Sequence, residues 1–183
     1  YELVGEGTSS GSQVYDLVFP NNKRKKRKKN YVEKNISIPV QGLLSDMPAQ
    51  FAENSFLVPG DKIVGIVSPE KGITIFSVDS NVLTNFEKSP ESWIKLQWKK
   101  DIDFTFTSRI KITIINEVGV LNSITSTIAD YGGNINNLIL NEKDNDFYNL
   151  IIDINVNDNR HISDIVKSLE GLPVVEAVIR FIG

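Results

Sequence analysis

Two stretches of the chain carry residues whose types and spacing can do chemistry. Asn116-Glu117-Val118-Gly119-Val120-Leu121 lies between an alternating apolar run, Ile110, Ile112 and Ile114, and a helical pattern, Leu121, Ile124, Ile128 and Ala129. A strand that stops at a glycine and restarts as a helix gathers unpaired backbone N–H groups at one point. Such a point can hold a small anion, for instance the carboxylate of a free amino acid. The same glycine can also be no more than a turn where a side chain would clash, and the local pattern leaves both readings open. The other stretch is Lys23-Arg24-Lys25-Lys26-Arg27-Lys28-Lys29. Adjacent cations repel one another and resist packing, so the run reads as disordered. It can act as an RNA-contacting tether that neutralises phosphates, or remain a solvated linker. No apolar face accompanies it, which argues against a membrane surface.

Composition removes most other chemistries. The 183 residues include no cysteine and one histidine, His161. Disulfides and thiolate chemistry are thereby excluded, as is a histidine-rich metal site, and little room remains for a Ser-His-Asp arrangement. His161 opens a helical pattern with no evident partner and reads as a surface or first-turn residue. No nucleophile–base pair and no phosphate-cradling glycine loop is present, so no catalytic residue is assigned. With 40% hydrophobic residues the chain suits globular domains. No apolar run approaches the roughly 18 to 20 residues of a membrane span. The opening Tyr1-Glu2-Leu3-Val4-Gly5-Glu6-Gly7 has neither a basic n-region nor an apolar h-region, so it does not read as a signal peptide, and it suggests a piece of a longer protein. Residues 1–50 carry eight basic groups against five acidic, whereas residues 108–183 carry six against ten. The C-terminal third is therefore a poor candidate for a broad nucleic-acid footprint.

Three segments position these residues. Residues 1–35 read as the end of a helical segment, through Val14, Leu17 and Val18 to Pro20, followed by the basic linker. Residues 36–100 read as a small β-rich unit. Ile36, Ile38 and Val40 alternate into Gly42, and Val58-Pro59-Gly60-Asp61 has the chemistry of a turn. Ile63–Val67 and Ile73–Phe76 make a hairpin across Glu70-Lys71-Gly72, with Trp93, Leu96 and Trp98 in a following strand. Residues 105–183 read as βαββαβ. Strand Arg109–Ile115 leads to helix Leu121–Tyr131, which stops at Gly132-Gly133; strands Ile135–Asn141 and Phe147–Val156 follow. Helix Arg160–Leu172 buries Ile162, Ile165, Val166 and Leu169, and strand Val174–Phe181 puts Val175, Ala177, Ile179 and Phe181 on one face. The fold class is α+β, a small β-rich unit followed by a ferredoxin-like unit.

Two resemblances follow from these residues. Phe51-Ala52-Glu53-Asn54-Ser55-Phe56-Leu57-Val58-Pro59-Gly60-Asp61, with Lys71-Gly72-Ile73-Thr74-Ile75-Phe76-Ser77-Val78-Asp79-Ser80-Asn81, resembles a signature of the RelA/SpoT homologues, the bifunctional (p)ppGpp synthetase/hydrolases. That family runs Phe-Ala-x-Cys-Cys-x-Pro-Val-Pro-Gly-Asp, then Gly-Lys-Gly-x-x-Ile-His-Arg-x-Asp-Cys-x-Asn. Here Asn54 and Ser55 replace the cysteine pair, and Phe76 and Ser80 replace the histidine and last cysteine. Zinc needs thiolate or imidazole, so the resemblance does not carry a metal to this chain, and Phe76 is expected to fill the space instead. Residues 105–183 also resemble an ACT domain, whose Asp-Arg-x-Gly-Leu-Leu turn and Asn-Ile pair are matched here by Gly119, Leu121, Asn134 and Ile135. Asn116 and Glu117 replace the usual acid and base.

The resemblance implies a C-terminal regulatory part of a GTP pyrophosphokinase in the stringent response, acting in the cytoplasm on catalytic domains absent from this chain. It implies homodimerisation through the ACT domain and a branched-chain amino acid as ligand, without a cofactor. Asn116, Val118, Gly119, Val120, Leu121, Asn134 and Ile135 are the candidate ligand residues. The N–H groups near Val120 and Leu121 would take the carboxylate and Asn116 the ammonium, and Val118 and Ile135 would face the side chain. An amide meets an ammonium less strongly than a carboxylate does, so weak binding or none is expected. The resemblance also implies ribosome and tRNA contact, to which the cations at 23–29 and Lys62, Lys71, Lys95, Lys99 and Lys100 can contribute. A stand-alone amino-acid-binding module and an RNA-docking module without a ligand remain as alternatives.

Overall fold

The computed structural model describes residues 38–182, apart from 45–46 and 143–146. The basic run at 23–29 lies outside the described residues. Six short strands build the first half: β1 (Val40–Gln41), β2 (Ala49–Phe51), β3 (Ile63–Ser68), β4 (Gly72–Ser77), β5 (Trp93–Lys95) and β6 (Gln97–Trp98). β3 and β4 form the hairpin that the Glu70-Lys71-Gly72 turn predicts, with Val67 opposite Ile73. β2 adds parallel to β4 and β5 antiparallel to β3, giving the order β2-β4-β3-β5. β1 and β6 pair separately. The single strand expected across Trp93, Leu96 and Trp98 is therefore broken. Leu96 turns into the core, 4% exposed, and the residues on either side of it pair in different sheets. Val40, Leu57, Ile63, Ile73 and Ile75 complete that core.

The second half contains β7 (Phe106–Ile115), α1 (Val120–Asp130), β8 (Asn134–Glu142), β9 (Phe147–Val156), α2 (Asn159–Glu170) and β10 (Val175–Phe181). The strands form one antiparallel sheet in the order β10-β7-β9-β8, as the split βαβ pattern requires. Ile110, Ile112 and Ile114 lie opposite Ile152, Leu150 and Tyr148, so one face of the two central strands is continuously apolar. Both helices cover that face through Ile124 and Ile128 of α1 and Ile162, Ile165 and Leu169 of α2. Full burial of an isoleucine or leucine contributes about 1.5–3 kcal/mol, so this layer is the main source of the unit's stability. Asp158 caps α2 by accepting the His161 N–H at 2.8 Å.

The last strand departs from its sequence pattern. Val175 pairs with Ile114 but Ala177 pairs with Thr113, so Glu176 is an extra residue in a β-bulge. One inserted residue exchanges the faces of everything after it. Val178 and Arg180 consequently face the helices, while Ala177, Ile179 and Phe181, expected to share Val175's face, lie on the other one. Ile179 is 56% exposed there.

Candidate ligand site

The 116–121 turn is held by its backbone. Gly119 is the residue before α1 and has φ +88°, left-handed geometry that other residues adopt only under strain. A Cβ at Gly119 would meet no protein atom within 4 Å. Conformation, not crowding, therefore calls for glycine. The Ser123 N–H bonds the Gly119 carbonyl at 3.1 Å and starts the helical ladder, which leaves the first-turn amides of Val120, Leu121 and Asn122 without helical acceptors. A pocket of 280 Å³ opens there, lined by Asn116, Glu117, Gly119, Leu121, Leu140 and Tyr148 among others. The helix end favours an anion, while the exposed Glu117 at the same rim opposes one.

The seven candidate ligand residues do not meet within one chain. Asn116, Gly119, Val120 and Leu121 line this pocket. Val118 points wholly into solvent and lies outside the lining. Asn134 and Ile135 start β8, whereas the turn follows the end of β7. Both strands run antiparallel to β9, and Asn134 pairs with Asn155 while Ile115 pairs with Phe147. The two groups therefore sit at opposite ends of the sheet. Leu140 and Tyr148, rather than Val118 and Ile135, supply the apolar wall of this pocket. Tyr148 continues the buried face of β9, and its partial exposure is the signal that marks it.

The positions that hold zinc in the resembling pattern do not suit a metal here. Asn54 adopts φ +57° in a turn closed by Ser55, whose hydroxyl donates to the Ala52 carbonyl at 2.7 Å. The Ser80 hydroxyl accepts the Val82 N–H at 3.4 Å and caps the 3-10 helix Asn81–Phe86. These side chains serve the local backbone. Among the described residues, no group of three or more His, Asp or Glu is placed to hold a metal. Phe76 does not fill the space as expected: its ring tilts against Phe86 at 6.3 Å, and Ser55, Phe76 and Ser80 line an open pocket of 540 Å³.

Arg109 and Asp153 pair on the face of the sheet away from the helices. Arg109 on β7 donates from Nε to Asp153 Oδ1 at 2.6 Å and from Nη2 to Oδ2 at 2.8 Å. Asn137 on β8 donates to the same carboxylate at 3.3 Å. The Arg109 hydrogen bond holds the Asp153 carboxyl below the usual carboxylate range, against the opposing effect of burial. His161 is half-buried between the helices. Its Nδ1 accepts the Asn157 N–H at 3.1 Å, which leaves Nε2 to donate to the Tyr131 carbonyl at 2.9 Å. That is a structural role joining the end of α1 to the start of α2. Lys62, Lys71, Lys95, Lys99 and Lys100 are all exposed. No helix among the described residues is long and apolar enough to cross a membrane.

Comparison with known proteins agrees with both halves of this architecture. Residues 38–99 match the family model of the RelA/SpoT RIS domain, and residues 103–180 match that of an ACT domain. The chain is 38% identical over 136 residues to the GTP pyrophosphokinase rsh of Brucella abortus strain 2308, covering 73% of this chain and 18% of that protein. It is 29% identical over 143 residues to the bifunctional (p)ppGpp synthase/hydrolase SpoT of Escherichia coli K12, covering 78% of this chain and 20% of that one. The chain thus spans about a fifth of the length of these curated relatives. The crystal structure of the ACT domain from the GTP pyrophosphokinase of Chlorobium tepidum aligns with 42% of this chain and 99% of its own, at 25% identity and a TM-score of 0.38. With an RIS domain followed directly by an ACT domain, and with relatives of this kind across both, the chain belongs to the RelA/SpoT family as its C-terminal regulatory region.

Proposed function

We propose that this region regulates (p)ppGpp synthesis and hydrolysis by catalytic domains outside the chain, in the cytoplasm, by binding a branched-chain amino acid between two ACT units. One observation carries the reading. β8 is an edge strand whose consecutive residues Leu138, Ile139 and Leu140 are all substantially exposed, and it runs from Asn134 to the pocket beside Gly119. An exposed apolar edge is a template for pairing with another chain. Antiparallel pairing of β8 with a second copy, centred on Leu138, sets the second copy's Asn134 and Ile135 next to the first copy's Leu140 and Gly119 pocket. The two groups of candidate residues, separated within one chain, then complete each other. The first-turn amides of α1 receive the carboxylate, Asn116 the ammonium, and Leu140, Tyr148 and the second copy's Ile135 the branched side chain.

Analytical ultracentrifugation and calorimetric titration with valine and isoleucine test this together. The expected result is a dimer that binds weakly, and a Leu138→Lys variant that stays folded, sediments as a monomer and releases no binding heat. A wild-type monomer, or binding unaltered in that variant, overturns the reading. The seven cations at 23–29 favour a second role, a tether to ribosomal or transfer RNA that works alongside ligand binding. Ribosome co-sedimentation that persists after those residues are deleted removes it.

A further inference from the structure

The Val58-Pro59-Gly60-Asp61 turn belongs to the RIS unit by sequence, but its contacts go to the ACT unit. Leu57 is buried in the first core beside Ile63 and Ile75. The next residue, Val58, has no exposed surface and belongs to the second core, among the isoleucines of the ACT sheet and helices. The exchange is returned at the far end of the fold, where Ile182, just past β10, packs against the RIS core.

Asp61 sits at the centre of this exchange, with 4% of its side chain exposed. Its Oδ2 accepts the Val58 N–H at 2.8 Å and Arg180 Nη2 at 2.6 Å; its Oδ1 accepts Arg180 Nη1 at 2.9 Å and the Asn159 side-chain amide. Arg180, itself 13% exposed, also donates to Ser108 Oγ and the Phe56 carbonyl. The Asn159 backbone N–H donates to the Pro59 carbonyl at 2.8 Å. The close approach leaves little room at Gly60, whose Cβ would stand 3.1 Å from Asn159 Cβ. Trp98 donates from Nε1 to the Asp61 carbonyl and meets the Phe106 ring edge-on. On the other face of the sheet, the Arg109 guanidinium lies 4.3 Å from the centre of the Phe56 ring. Arg180 is paired with Ile110, and Arg109 and Ile110 point to opposite faces of β7. Residues 56–61 are therefore gripped from both faces of the ACT sheet.

We propose that this clasp joins the RIS and ACT units into one rigid regulatory body, with Asp61 as its positioning residue. Consecutive domains with a small polar contact normally move independently. Here each unit contributes an apolar residue to the other's core, and a buried carboxylate is satisfied by three elements at once. A change at the ACT sheet then reorients whatever the RIS unit touches without a hinge between them, whichever ligand or partner causes it.

Residual dipolar couplings measured on the whole chain test the proposal. The expected result is one alignment tensor for amides of residues 49–98 and 106–181, and loss of that common tensor in Asp61→Asn, which keeps the shape of the side chain and removes its charge. Val58→Ala and Phe56→Ala leave the Asp61 carboxylate paired and carry the same readout if Asp61→Asn does not fold. Two tensors in the wild type overturn the rigid body. A common tensor retained in the folded variants overturns the clasp as its cause.

Discussion

Replacing Asp153 with asparagine isolates the Arg109 pair and gives a stability change that depends on pH. The carboxylate is 11% exposed and takes two charge-assisted bonds from Arg109, whose own side chain is 30% exposed. A hydrogen bond to a charged group contributes about 1.5–3 kcal/mol, and solvent at the half-open guanidinium brings the pair toward the lower part of that range. Asp153→Asn is therefore expected to cost about 2 kcal/mol at pH 7, since the amide NH₂ would face an arginine N–H. The sign of the pH effect follows from the direction of the shift. Asp153 is held below the usual carboxylate value, chiefly by the Arg109 hydrogen bond, so the unfolded chain binds its proton first as pH falls. The stabilisation is complete above the unfolded value of about 4 and is lost below it, as pH falls toward the folded value, at a limiting slope of about 1.4 kcal/mol per pH unit. Urea unfolding of both proteins between pH 7 and pH 3 is the assay. The stability gap should be constant down to about pH 5 and then narrow. A gap that stays constant to pH 3 would refute the pairing as the source of the stabilisation.

Other substitutions address the turns and the absent thiolates. Gly119→Ala should lower stability by about 1 kcal/mol through left-handed strain alone, because nothing crowds the new methyl group. Thermal denaturation without such a loss would show that the turn does not hold φ +88°. Asp158→Ala removes the cap of α2 and should cost about 1 kcal/mol in chemical denaturation, with Asp158→Ser recovering most of it. Elemental analysis of the purified protein should find no stoichiometric zinc, and a chelator should leave the melting temperature unchanged. Stoichiometric metal would mean that groups other than Asn54, Ser55, Phe76 and Ser80 bind it.

The sequence discloses features whose cause is local. Ile110, Ile112 and Ile114 alternate because one face of β7 is buried, and Ile162, Ile165 and Leu169 recur because one face of α2 is. The order of the ACT elements was legible for that reason. The faces of β10 were not. The bulge at Glu176 is a matter of pairing register, and the residues of the strand alternate much the same with or without it. The turn at Val58-Pro59-Gly60-Asp61 was readable as a turn, but its partners Arg180 and Asn159 lie 119 and 98 residues away. No local pattern connects them. The candidate ligand residues divide for a similar reason, because Gly119 and Asn134 are near in sequence but α1 carries the chain from one end of the sheet to the other between them.

The position of β10 bears on how the region is made. This last strand of the fold lies beside β7, the first of its sheet, and supplies Arg180 to a turn built 119 residues earlier. During synthesis the RIS hairpin can form early, since β3 and β4 are adjacent in sequence. Val58 must wait for a core that β7, β9 and both helices assemble, and Asp61 for a cation that arrives after all of them. Long-range pairing of this kind folds slowly and late. A chain stalled before residue 180 therefore holds the Asp61 carboxylate without its arginine even where the Val58 core has formed, so closure of this joint requires β10.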